Sequence, residues 1–119
     1  MYDLPTYEEV TEIFSRRDKV GQSFMPAAFI NDSEEHIHAL EQLIRTRQVG
    51  GLCFFHSRAS AAANFEGKQE VIYHPDSLQR LKELIRRYQA AAPYPLVIAI
   101  DAEWGLAMRV EEAPQYPFA

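Results

Sequence analysis

A single cysteine in 119 residues leaves no possibility of an internal disulfide and no thiolate cluster for a metal. That residue, Cys53, sits in the apolar run Leu52-Cys53-Phe54-Phe55, where a small buried side chain is a structural rather than a reactive group. Basic residues are also in short supply. Twelve Lys and Arg against seventeen Asp and Glu give a net charge of −5, which argues against a nucleic-acid surface and against attraction to an anionic membrane. No apolar run approaches the roughly 18–20 residues needed to cross a bilayer. The start, Met1-Tyr2-Asp3-Leu4-Pro5, has neither the basic residues nor the apolar stretch of a signal peptide, so the compartment is left open. Glycine is sparse, and the pair Gly50-Gly51 lacks the spacing of a phosphate-cradling loop. There is no Gly-x-Ser-x-Gly elbow, hence no support for serine-hydrolase chemistry. Repeats and low-complexity tracts are lacking too.

What is present is an ordinary globular composition, 47% hydrophobic and 24% charged, enough for one domain over residues 1–119. Thr6 with Glu9 three residues on forms a capping box that opens a first helix. Val10, Ile13 and Phe14 lie on one face, and Arg16-Arg17-Asp18-Lys19 followed by Gly21 closes it. Gln22 to Ala27 reads as a short strand ended by Pro26. The cluster Asn31-Asp32-Ser33-Glu34 caps a second helix with Ile37, Leu40, Leu43 and Ile44 at helical spacing. Val49 to Phe55 is apolar without alternation, the pattern of a strand covered on both faces. After a long loop from His56 to about Pro75, Asp76 caps a third helix bearing Leu78, Leu81, Leu84, Ile85 and Tyr88, stopped by Pro93 and Pro95. Leu96-Val97-Ile98-Ala99-Ile100 is the clearest strand and ends at Asp101; Val110 to Ala119 shows no periodicity.

Strands alternating with helices predict an α/β fold with parallel strands and right-handed crossovers. Two architectures fit: a small open sheet with helices on both sides, or the first three β/α units of a (β/α)8 barrel. A barrel needs roughly 250 residues, so the second reading makes this chain an incomplete barrel that the remainder of a longer protein must close.

In parallel α/β folds the chemistry sits on loops leaving the carboxyl ends of strands. One such loop begins His56-Ser57-Arg58-Ala59-Ser60, where His56 and Arg58 are candidates to line a substrate; the plainer alternative is a loop that hydrogen-bonds itself into shape. The other is Asp101-Ala102-Glu103-Trp104-Gly105-Leu106-Ala107-Met108-Arg109. A carboxylate at the mouth of a buried strand must be hydrogen-bonded or used. Asp101 can accept from vicinal sugar hydroxyls, Arg109 can donate to oxygens of the same ligand, and Trp104 can offer a flat face to a sugar ring. The alternative has Asp101 capping the next turn, Arg109 pairing with Glu103 and Trp104 simply packing. Asp101 and Glu103 are too close in sequence to flank one glycosidic bond without special geometry. His36 and His38 read as a solvated helix face rather than a metal site, and His74 as a loop residue without partners in sequence.

The stretch Leu96 to Gly105 with Arg109 resembles the Asp-x-Glu-x-Gly…Arg signature of family 3 glycoside hydrolases. Lys19-Val20-Gly21-Gln22 resembles the segment introducing that family's first barrel strand, Val49 to Phe55 looks like its second strand, and Tyr116-Pro117 fits the Phe/Tyr-Pro step after the arginine. The matches run in order from Lys19 to Pro117. Glu103 resembles the β-N-acetylglucosaminidase (β-N-acetylhexosaminidase) branch, while Ala102 and Trp104 depart from the commoner Gln and Gly.

The resemblance implies a TIM barrel, and substrate-binding roles for Asp101 and Arg109 in the site nearest the cleaved bond. It implies an exo-acting, retaining hydrolase releasing terminal N-acetyl-β-D-hexosamine from an N-acetylglucosamine-containing glycan, without metal or organic cofactor. The family's nucleophile is an aspartate far downstream, and this branch takes its acid from a His loop after a Lys-His…Pro-Gly motif; neither occurs in this sequence. No catalytic residue is therefore expected in this chain, which should not hydrolyse glycosides alone. The competing expectation is a non-catalytic small α/β module that binds a sugar or a protein partner.

Overall fold

The computed structural model describes residues 5–57, 74–103 and 105–115. Its element order is α1 (Tyr7–Ile13), α2 (Arg16–Gly21), β1 (Ala27–Phe29), α3 (Glu34–Arg47), β2 (Gly51–Phe55), α4 (Ser77–Ala91), β3 (Val97–Ile100) and a 3-10 turn, Leu106–Met108. The α/β alternation is as the sequence implies, with two shifts.

The first concerns the opening helix, which is two helices. Thr6 and Glu9 form the expected capping box, with the Glu9 carboxylate accepting the Thr6 N–H at 2.7 Å. Phe14 then turns extended, and Ser15 with Asp18 forms a second capping box that starts α2. Two reciprocal caps three residues from their partners each nucleate a helix start, so the chain breaks between them. Phe14 is buried and packs edge-on against Tyr94, ring centroids 4.6 Å apart, which pins the junction.

The second concerns β1, which follows Pro26 instead of ending there. Toward β2 the Phe24 and Pro26 carbonyls accept the Gly50 and Cys53 N–H groups at 3.1 Å each, while the Phe24 N–H turns back to the Gly21 carbonyl at 3.0 Å. Proline has no N–H to donate, so two-way pairing begins at Ala27. Gly21 is required upstream: a Cβ there would lie 1.9 Å from the Arg47 carbonyl oxygen, because the end of α2 crosses the end of α3 in backbone contact.

The three strands form one parallel sheet in the order β1-β2-β3, with Ala27 opposite Cys53 and Cys53 opposite Ala99. Helices α3 and α4 pack side by side on it. Ile37, Ile44, Leu84 and Tyr88 meet Ala28, Leu52 and Phe54 in a fully buried core, each large aliphatic contributing about 1.5–3 kcal/mol. Leu43, expected inward, faces outward at 39% exposure. Across the outer seam Arg87 pairs with Glu34 at 2.8 Å and Glu41 at 3.0 Å, and Arg80 with Glu34 at 3.0 Å. His36 and His38 lie on the exposed side of α3, where His38 meets Glu41 at 2.9 Å.

Among the described residues the central strand is fully covered on one face only. Leu52 and Phe54 point into the helices and are fully buried. Their alternates Cys53 and Phe55 lie on the second face with Val97 and Ala99, and these remain partly exposed, Val97 at 61%. Strand periodicity puts every second side chain there, and all of them are apolar.

Candidate functional site

At the carboxyl ends of β2 and β3 the sheet brings Phe55, His56 and Asp101 together. Ile100 is registered opposite Phe54, and the Asp101 N–H donates to the Phe54 carbonyl at 3.1 Å, so Asp101 emerges beside Phe55. The chain then turns back. Gly105 at φ 99°, a conformation closed to L side chains, leads into the 3-10 turn. The Arg109 and Val110 N–H groups both donate to the Leu106 carbonyl at 2.9 Å, and fully buried Val110 plugs into the core.

This fold-back lays Arg109 over Asp101. Its Nη2 stands 3.3 Å from Asp101 Oδ2, its Nε donates to the Asp101 backbone carbonyl, and its guanidinium lies 5.3 Å from the Phe55 ring centroid. Arg109 is buried at 8% exposure, whereas the Asp101 side chain keeps about a third of its surface, 34%. Among the described residues, Asp101 Oδ1 and Arg109 Nη1 enter no hydrogen bond. One acceptor and one donor thus stand side by side at the open end of the sheet. The ion pair is Arg109 with Asp101, not with Glu103.

His56, fully buried, ties this loop down. Its ring nitrogens are both engaged: Nδ1 meets the Arg109 carbonyl oxygen at 2.8 Å, and Nε2 accepts the His74 N–H at 2.9 Å. A carbonyl can only accept and an N–H only donate, so His56 is neutral with its hydrogen on Nδ1. His56 therefore positions Arg109 through its backbone. His74, which the sequence left without a partner, accepts the Asp76 N–H on its own Nδ1 at 3.2 Å.

The loop is also clamped further along. Asp76 stands at the start of α4 but makes no side-chain cap. Glu112 does so instead: its carboxylate accepts the Ser77 hydroxyl and the Leu78 N–H, and hydrogen bonding from Ser77 holds the carboxyl below its ordinary range. Ser77 Oγ in turn accepts the Glu111 N–H at 2.9 Å.

Cys53 lies under the site on the same sheet face. Burial first, and then the charge of Asp101, push its thiol up, so it stays protonated at neutral pH and offers no nucleophile. Of the other sequence candidates, Arg58, Trp104 and Tyr116-Pro117 lie outside the described residues. No trio of His, Cys, Asp and Glu suited to a metal occurs among the described residues, nor does any helix long and apolar enough to cross a membrane.

Asp101 and Arg109, the sugar-binding candidates of the sequence, are paired with each other at the strand ends. His56, a candidate to line a substrate, instead hydrogen-bonds the loop into shape, as the plainer alternative had it; Phe55 beneath Arg109 and Glu112 as the cap of α4 carried no signal in the sequence. Comparison with protein-family models, with curated proteins and with solved structures gives no match.

Proposed function

We propose that this chain forms the first three β/α units of a (β/α)8-barrel glycoside hydrolase, with Asp101 and Arg109 as sugar-binding residues. The observation that carries the reading is the second face of the sheet, apolar in sequence and only partly covered in the fold. Both helices lie on the other face and the strand order runs 1-2-3 without reversal. A barrel wraps its strands in that order and packs such a face into its interior. Among the described residues neither β1 nor β3 pairs with a further strand, and closure of a barrel gives each of them a second neighbour.

The pair at the strand ends suits a carbohydrate. A half-open carboxylate accepts from a hydroxyl while a buried, pre-oriented guanidinium donates to a neighbouring sugar oxygen; because the pair is already made, little ordering cost remains on binding. The resemblance to family 3 names the sugar as a terminal N-acetylhexosamine, and the activity of the whole protein as its retaining, exo-acting hydrolysis without a cofactor. Catalytic acid and nucleophile would come from the rest of the barrel, since a retaining site needs both an acid and a nucleophile flanking the bond, about 5 Å apart.

The first test is the intact mass of the natural protein in its source. A product several times heavier than this chain supports the barrel. A product that ends at Ala119 removes the hydrolase and leaves the small α/β sugar- or partner-binding module. The second test is binding of N-acetylglucosamine by ligand-observed NMR, which Asp101→Ala and Arg109→Ala should each abolish. Purified chain should leave a chromogenic N-acetylglucosaminide intact.

A further inference from the structure

The end of the sheet opposite Asp101 carries a cleft of about 430 Å³ between α2, α3 and the entry to β1. Its apolar lining includes Val20, Phe24, Met25 and Leu43, all exposed, with Arg17 and Arg47 beside them. Neither arginine enters an ion pair with a described acid. In a chain of net charge −5 this is a local concentration of positive charge around an apolar floor.

The same chain carries a segment of opposite character. Helix α1 has no buried residue; Tyr7 is 80% and Ile13 63% exposed, and with Val10 between them they form one apolar stripe. Its charged residues are Glu8, Glu9 and Glu12, with no base. An amphipathic acidic helix and an apolar cleft beside two arginines are complementary in both shape class and charge.

They cannot meet within one copy. Only Phe14 and Ser15 separate α1 from α2, which itself lines the cleft, and Phe14 is fixed against Tyr94. We infer that α1 of one copy docks its Tyr7–Val10–Ile13 stripe into the Val20–Phe24–Met25–Leu43 cleft of a second copy, with Arg17 and Arg47 meeting the helix's glutamates. Two copies exchanging α1 reciprocally close the contact as a symmetric dimer. The inference stands apart from the sugar reading, because the cleft is at the other end of the strands.

Sedimentation equilibrium of the chain over about 5–300 µM tests it, since an association of this kind is a mass-action effect in that range. A monomer–dimer equilibrium is expected. Tyr7→Ala with Ile13→Ala, and separately Arg17→Glu with Arg47→Glu, should each raise the dissociation constant at least about tenfold, with unchanged far-UV circular dichroism. Combining Arg17→Glu and Arg47→Glu with Glu8→Arg and Glu12→Arg should recover most of the loss. Glu9 is left alone because it caps α1 with Thr6. A monomer at every concentration overturns the inference. So does an association that neither pair of substitutions moves, because the contact then runs through another surface.

Discussion

Replacing His56 with alanine tests whether the site loop is held from beneath. The side chain is fully buried and holds two backbone groups that belong to different segments, the Arg109 carbonyl and the His74 N–H. Removing the ring orphans the Arg109 carbonyl in a buried position, at a cost of about 1–2 kcal/mol. The His74 N–H lies nearer solvent and adds less than about 1 kcal/mol. The hollow left by the ring, at ~24 cal/mol per Å³ of residual cavity, adds about 1 kcal/mol. The sum is about 3 kcal/mol, a large part of the roughly 5–15 kcal/mol that holds a domain folded.

Urea unfolding followed by circular dichroism reads this directly. With a slope of about 1.5 kcal/mol per molar, the midpoint of His56→Ala should fall by about 2 M. The control is His56→Asn, whose amide N–H can still reach the Arg109 carbonyl while the bond from His74 is lost; it should cost about half as much. Both variants should bind N-acetylglucosamine more weakly, since the Arg109 backbone is no longer fixed. An alanine variant within about 0.5 kcal/mol of the parent refutes the anchoring role. Equal losses for alanine and asparagine would place the energy in packing rather than in the Arg109 carbonyl.

Tyr88 should behave in the opposite sense. Its hydroxyl is buried and finds no partner among the described residues, so Tyr88→Phe removes an unsatisfied group and should stabilise by about 1 kcal/mol, seen as a higher thermal midpoint. Burial, and secondarily the charge of Asp32, pushes the same hydroxyl up to about 12. A raised folded-state value means that the unfolded chain loses its proton first, so stability is full below about pH 10 and falls between about pH 10 and 12. Tyr88→Phe should flatten that alkaline fall. At the acid end, burial pushes the Glu41 carboxyl up, but hydrogen bonds from Arg87 and His38 outweigh it, and Glu34 is held down by Arg87 and Arg80. Depressed carboxylates contribute above their unfolded values and lose that contribution as pH falls through the folded ones; Arg87→Met should therefore make the urea midpoint less sensitive to pH below about 4.5. Gly105→Ala forces a side chain into a region essentially reserved for glycine, and should cost about 1–3 kcal/mol and weaken sugar binding together.

The parts of this molecule that were legible in the sequence are those whose partners lie within one turn or one strand. Thr6 and Glu9 announce their cap because both ends of it are three residues apart, and the Leu81, Leu84, Tyr88 spacing announces the buried face of α4. Ser15 and Asp18 carry the same signal, and reading it as a second cap would have split the first helix correctly. What stayed hidden depends on distant pieces meeting. His56 finds Arg109 fifty-three residues on, and Ser77 finds Glu112 thirty-five residues on. Local propensity therefore favoured Asp76 as the cap of α4, and nothing near His56 marked it as an anchor.

The mismatch at β2 is of another kind and says more about function. Its residues alternate between a face packed on α3 and α4 and a face that the described residues leave partly open, yet the sequence is apolar on both. A strand meant to face water on one side alternates polar with apolar residues. This one does not, so Cys53, Phe55, Val97 and Ala99 form a surface suited to burial. Phe55 stands at the top of that surface, under the Arg109 guanidinium and beside Asp101. Burying the lower part inside a barrel would leave Asp101 and Arg109 at its mouth, above a dry floor, and their interaction with a sugar would strengthen as water is excluded. A Val97→Lys substitution separates the two readings. It should be nearly neutral in the isolated chain, where the residue is 61% exposed, and should prevent folding of any longer natural protein whose barrel closes over that face.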